Sequence, residues 1–253
     1  MPRFYTNAAD IGPEKGSAIF ELYSRINHSC TPNVHASYNH PLDRHTLHAI
    51  RDISEGEEIL TSYIDCAKPL DKRAEALEEK GIDCSCSVCT RGAVAFQSNK
   101  RRKKLHDFTR GLQGYDGKTD SSAQRVPVSL VPRNPSEALA MAENSITLLR
   151  EEGLLGMSLA STYRHCSKYA LQLGMVEKAK AYAKKELEVE RYCLGMETEY
   201  LNDGRKGGNA DSWLKQIEWI AEKDRVKIRM CEKRCQKEQK KVEKKAAKKS
   251  AKR

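Results

Sequence analysis

The sequence predicts an α+β protein: a small β-rich region stapled by a metal, then an α-helical lobe, then a long basic helix at the C-terminus. Three observations carry this. Residues 1–91 combine short strand-like runs with three cysteines in six positions, Cys84, Cys86 and Cys89. Residues 134–229 repeat apolar side chains at helical spacing between capping signals. Residues 223–253 carry 15 Lys/Arg against four Asp/Glu, whereas residues 1–222 carry 30 against 31. The net charge of +10 therefore belongs to the tail and describes nothing of the folded body.

A chain of 253 residues is long enough to bury a real core. No run of 18 apolar residues exists to span a bilayer, so a membrane-embedded protein is excluded and no membrane partner is expected. No N-terminal apolar stretch of signal-peptide type is present. Nine cysteines, an odd number without an export signal, point to a reducing compartment and to thiols or metal ligands rather than disulfides.

In chain order, Thr46–Ile50 and Glu58–Ile64 read as strands, with Ser54-Glu55-Gly56-Glu57 as a turn between them. Residues 92–133 read as a linker: they hold the run Lys100-Arg101-Arg102-Lys103-Lys104, several glycines, and poor apolar periodicity. Asn134-Pro135-Ser136-Glu137 starts the helical region, with Asn able to cap, Pro suited to the first turn and Glu137 able to reach back. Leu139, Ala142, Ile146 and Leu149 follow on one face, and Gly153 marks the end. A second helix carries Leu159, Tyr163, Cys166, Ala170 and Leu173; a third carries Val176, Ala179, Ala183 and Leu187, stopping near Gly195. Residues 170–182 resemble the turn of a tetratricopeptide repeat, with small residues at the crossing of two antiparallel helices. A last helix starts near Asp211, and Trp213 and Trp219 are expected to pack it on the lobe. It loses its apolar stripe after Ile228, leaving a basic tail at 230–253 that includes Cys235.

Three constellations carry chemistry. Cys84, Cys86 and Cys89 can converge on one tetrahedral ion, for which zinc suits a thiolate-rich site. A fourth ligand must come from elsewhere, and Cys30 and Cys66 are the candidates in this zone. The second is Arg25-Ile26-Asn27-His28-Ser29-Cys30-Thr31-Pro32-Asn33, polar side chains after an apolar approach, which also reads as a turn with a satisfied Asn and His. The third is Gly56-Glu57-Glu58-Ile59-Leu60-Thr61-Ser62-Tyr63-Ile64, where Tyr63 also reads as a strand tyrosine with its ring in the core. His35, His40, His45 and His48 are expected on strands and a turn rather than at a metal.

Together, Asn27-His28-Ser29-Cys30-x-Pro32-Asn33, then Arg51-Asp52-Ile53-x-x-Gly56-Glu57-Glu58-Ile59-x-x-Ser62-Tyr63-Ile64, then Cys84-x-Cys86-x-x-Cys89 closely resemble the C-terminal half of a SET domain with its post-SET zinc site. The resemblance covers residues 4–91, and the helical region is similar to the C-terminal lobe of SET-and-MYND proteins. It implies a partial SET domain at 1–91, a linker at 92–133, a tetratricopeptide-like region at 134–229 and the tail. It also implies methyl transfer from S-adenosylmethionine to a lysine of a protein substrate, histone or non-histone. Tyr63 falls on the catalytic tyrosine, and Asn27, His28, Ser24 and Asn7 fall on cofactor positions. Cys30, Cys84, Cys86 and Cys89 fall on the zinc ligands, which leaves Cys66 a bystander thiol.

The sequence departs from the family twice. No Gly-x-Gly strand lies before residue 27, so the N-terminal half of the domain is expected to be missing. Ile82 stands where relatives commonly place an aromatic. A non-catalytic zinc-binding scaffold for protein partners is the alternative implied by those departures. The tail suits nonspecific polyanion contact or nuclear import, without base stacking because it lacks interleaved aromatics; nucleus or cytoplasm is the expected location.

Overall fold

The computed structural model describes residues 7–11, 16–39, 42–117, 126–195, 209–223, 225, 226, 230 and 236. Among the described residues six short strands pair in twos: β1 (Ala8–Asp10) with β2 (Ser17–Ile19), antiparallel; β3 (Asn27–His28) with β6 (Leu60–Thr61), parallel; and β4 (Val34–Asn39) with β5 (Arg44–Ala49), antiparallel. Helices follow: α1 (Leu70–Glu78), α2 (Ala93–Tyr115), α3 (Pro135–Glu151), α4 (Met157–Gln172), α5 (Val176–Leu194) and α6 (210–223). The mixed α and β content expected from the sequence is present, weighted toward helix. Among the described residues no helix is long and apolar enough to cross a membrane.

The β4–β5 hairpin extends the strand read at 46–50, and the turn before β6 closes by a Glu57 N–H to Ser54 carbonyl bond of 3.0 Å. The strand read over 58–64 shrinks to two residues. Side chains take over the ladder on either side of it. Asn33, fully buried, donates to the Glu58 carbonyl at 2.8 Å and accepts from the Leu60 N–H at 2.8 Å. Beyond Thr61 the chain turns away, with the Tyr63 N–H donating to the His28 ring.

Residues 93–115 correct the sequence reading most. Placed in a linker for want of apolar periodicity, they form the 23-residue helix α2. Its buried stripe includes Ser98, Arg102 and Gly111 beside Leu105 and Leu112. Polar groups therefore occupy inward positions, and a search for apolar spacing passes over them. Arg102 and Ser98 both bond the Glu152 carboxylate, which is itself buried just after α3. Gly111 lets α2 touch the 3-10 turn Val128–Leu130: a β-carbon there would stand 2.2 Å from the Leu130 carbonyl oxygen.

α3 starts as read, with Asn134 Oδ1 accepting from the Glu137 N–H at 2.9 Å. Leu139, Ala142 and Leu149 are buried, and so are Leu159, Tyr163, Cys166 and Ala170 on α4 and Ala179, Ala183 and Leu187 on α5. Gly174, at φ +72, makes the left-handed turn between α4 and α5. In α6, Ile217 is buried and Trp213 donates to Ser167 Oγ at 3.0 Å. Trp219 departs from expectation: it is 61% exposed, with the Lys223 ammonium 3.7 Å above its ring. The tail lies outside the described residues apart from Met230 and Gln236.

Among the described residues the core forms two clusters. One holds Cys30, Cys66, Leu77 and Val88 together with Leu105, Leu149, Leu159 and Tyr163, so the β-rich region and helices α2–α4 share it. The other gathers Ala142, Tyr169, Ala179 and Ile217 inside the helical lobe.

Candidate functional site

Cys30 follows β3, and Cys84, Cys86 and Cys89 follow α1. Their four sulfurs lie within 4.8 Å of one another, with Cys30 Sγ 3.5 Å from Cys89 Sγ. A tetrahedral zinc with ~2.3 Å bonds to sulfur needs thiolates about 3.8 Å apart, so the donor set fits the ion. Burial, then the neighbouring Cys86 and Cys89 thiols, pushes the Cys84 thiol up to about 11. Metal binding must therefore displace protons from this cluster.

His28, Cys30 and Cys66 form a second close group, also within 4.8 Å. Hydrogen bonding decides that His28 is not a ligand there. Its Nδ1 accepts from the Tyr63 N–H at 3.0 Å, so Nε2 carries the proton and points it at Cys30 Sγ, 3.4 Å away. Burial lowers the His28 pKa, with Arg73 adding to the effect and Cys86 opposing it. The neutral ring thus donates to the Cys30 sulfur and would orient it toward an ion in the cluster.

Two arginines that sequence reasoning passed over support the cluster. Arg73 of α1 is fully buried and donates to the Lys68 carbonyl at 2.7 Å, the Val88 carbonyl at 3.2 Å and Cys89 Sγ at 3.7 Å. Arg102 of α2, equally buried, donates to the Cys30 carbonyl at 3.1 Å, to the Cys66 carbonyl, and to Glu152 at 2.7 Å. Four thiolates around a divalent ion would leave a net negative centre, which the buried guanidinium of Arg73 would offset. Arg102 lies within the basic run at 100–104, and nothing in that run's composition separates it from the exposed lysines around it.

Tyr63 stands two residues past β6. Its hydroxyl donates to the Ile26 carbonyl, and its ring centroid is 5.4 Å from that of His28. Burial, then Tyr23, raises its pKa, which keeps the phenol neutral. Tyr63 lines two cavities. One, of about 400 Å³, also holds Asn27, His28, Glu58, Ile82 and Cys84. The other, of about 390 Å³, holds Asn7, Tyr23, Ser24, His45 and Lys80. The four residues expected at a cofactor are therefore split: Asn27 and His28 share one cavity, while Asn7 and Ser24 share the other. Asn27 Nδ2 donates to Glu58 Oε1 at 2.7 Å, and Ser24 Oγ to the Glu21 carbonyl at 3.0 Å.

The SET domain family model matches residues 3–64, a segment that ends just after Tyr63. The chain thus carries a SET-domain segment. It is 35% identical over 201 residues to the histone-lysine N-methyltransferase set5 of Schizosaccharomyces pombe, a match over 78% of this chain and 57% of that protein. It is 32% identical over 133 residues to the N-lysine methyltransferase SMYD2-B of Danio rerio, over 52% of this chain and 30% of the relative. The histone-lysine N-methyltransferase ATXR2 of Arabidopsis thaliana is 41% identical over 78 residues, 30% of this chain and 16% of its own length. The chain thus spans little more than half of set5 and smaller parts of the other two. The set5 similarity runs well past the SET segment into the helices.

Proposed function

We propose that this SET-domain protein is an S-adenosylmethionine-dependent protein-lysine N-methyltransferase. The observation that carries the reading is Tyr63 as the shared wall of two cavities. S-adenosylmethionine supplies a sulfonium methyl group to an amine. The cavity with Asn27, His28 and apolar Ile82 is read as the cofactor side, and the cavity with Tyr23 and Ser24 as the side by which a substrate lysine enters. On this reading Ser24 and Asn7 contact the lysine-bearing segment rather than the cofactor.

Most of the catalysis is positioning, because an in-line displacement needs a neutral amine at a fixed approach. A neutral tyrosine, held by the Ile26 carbonyl, can orient that amine through its oxygen. Carbonyls near it can hold a polarised methyl by weak C–H···O contacts. Cys30, Cys84, Cys86 and Cys89 would hold zinc and fix the loop that carries Ile82. The helical lobe, with Ala170, Ala179 and Ala183 at the crossing of α4 and α5, is read as tetratricopeptide-like.

The test is calorimetric titration of S-adenosylmethionine into the zinc-loaded chain, with Asn27→Ala and Tyr63→Phe in parallel. Binding lost in Asn27→Ala but kept in Tyr63→Phe, together with methyl transfer to a lysine peptide lost in Tyr63→Phe, is the expected outcome. A folded, zinc-containing chain that takes up no cofactor would sink the reading and favour a non-catalytic scaffold.

A further inference from the structure

Cys66 has no part in the reaction or in the four-cysteine set, yet it sits against the metal centre. It is 6% exposed, and its sulfur lies within 4.8 Å of Cys30 Sγ. Ser62 Oγ gives its only hydrogen to the Ile64 carbonyl, so at 3.0 Å from Cys66 Sγ it can only accept. The Ser29 carbonyl, 3.6 Å away, is also an acceptor. The Cys66 sulfur thus stands beside that of Cys30 and outside the four-cysteine set.

Two more features bear on this pair. Arg102 bonds the carbonyls of both Cys30 and Cys66, which fixes the two backbones against each other across 36 residues of chain. Cys66 also lines a cavity of about 220 Å³ with Ser62, Ala67, Leu154 and Met157.

We propose that Cys66 is the resolving thiol of the metal centre: when a hydroperoxide oxidises Cys30, Cys66 closes a disulfide with it and removes that ligand from the ion. This rests on the metal reading of the four cysteines. The Cys30 thiolate attacks the peroxide oxygen, breaking the O–O bond, and becomes a sulfenic acid as hydroxide departs. The Cys66 sulfur then attacks the sulfenic sulfur; the S–O bond breaks, and the Cys66 proton leaves with the oxygen as water. Two electrons pass from the two sulfurs to one peroxide. Cys84, Cys86 and Cys89 compete less well, because their lone pairs are engaged by the ion.

The experiment uses the full chain with its zinc content measured first. Hydrogen peroxide is added, zinc release is followed with a chromogenic chelator, and disulfides are mapped by mass spectrometry of unreduced peptides. The expected result is release accompanied by a Cys30–Cys66 disulfide, reversed by a thiol reductant and fresh zinc. Cys66→Ser, and Cys66→Ala as a second variant, should bind zinc as the parent does and release it about tenfold more slowly under peroxide. Release at the parent rate in both variants, or a disulfide joining Cys30 to Cys84, Cys86 or Cys89 instead, overturns the proposal. A chain that holds no zinc before oxidant is added brings down the metal reading, and this inference with it.

Discussion

The Tyr63 hydroxyl is held by the Ile26 carbonyl and its backbone N–H by the His28 ring, so one side chain sets the position of the next. Removing the hydroxyl leaves the ring and both cavities in place. Tyr63→Phe should therefore keep cofactor binding and lose methyl transfer by about 10²-fold, read by calorimetry and by peptide labelling. His28 also faces the cysteine cluster. His28→Ala removes a donor to Cys30 and should weaken zinc binding about 10- to 100-fold in a chelator competition; unchanged affinity would rule out the tautomer assigned here. His35 acts on stability. Burial, then His48 and His45, holds its ring down to about 4, below the unfolded value of about 6.5. The unfolded chain binds the proton first, so this contribution is full above pH 6.5 and is lost as pH falls from there toward 4. On the order of 3 kcal/mol is involved at about 1.4 kcal/mol per pKa unit. His35→Gln should be less acid-sensitive than the parent in urea melts at pH 7 and pH 4.5, and the paired comparison cancels any metal loss common to both chains.

At the scale of elements, β3 and β6 pair through only two residues each, and such a ladder is too short to hold itself. Asn33 supplies what it lacks through bonds to Glu57, Glu58 and Leu60. α2 depends on one close approach. Gly111→Ala would drive a β-carbon into the Leu130 carbonyl, and this backbone atom cannot swing aside as a side chain would. A loss of about 1–3 kcal/mol in a denaturant melt is expected, as for overpacked sites, and no loss would mean that the turn at 128–130 moves freely. α3 depends on its cap, and Asn134→Ala should cost about 1 kcal/mol.

Across the whole molecule, the metal cluster and the helices are one packing problem. Cys30, Cys66 and Val88 share a core with Leu149, Leu159 and Tyr163, and Arg102 joins that core to Glu152 at the end of α3. Stripping zinc should therefore raise amide exchange beyond the loop at 82–92, into α1 and the first half of α2. The α4–α5 pair should keep its protection, since Ala170, Ala179 and Ile217 belong to the second cluster. Exchange confined to residues 82–92 would show that the arginine bridge transmits nothing.

Local pattern by itself determined the helices α3 to α5, because caps, glycine stops and apolar spacing are all written within a few residues of where they act. It also marked the cysteines, and the resemblance singled out Cys30, since motif order survives without knowledge of the fold. Tertiary structure decided the rest. Helix α2 faces inward through Ser98 and Arg102, and the buried guanidinium is satisfied by partners distant in sequence, Glu152 and the Cys30 and Cys66 carbonyls. The same long-range closure placed Cys66 against Cys30 and set Asn7 and Ser24 across Tyr63 from Asn27 and His28. Contacts between distant segments leave no periodic trace in the chain, because neither partner's neighbours need to resemble anything for the pair to form.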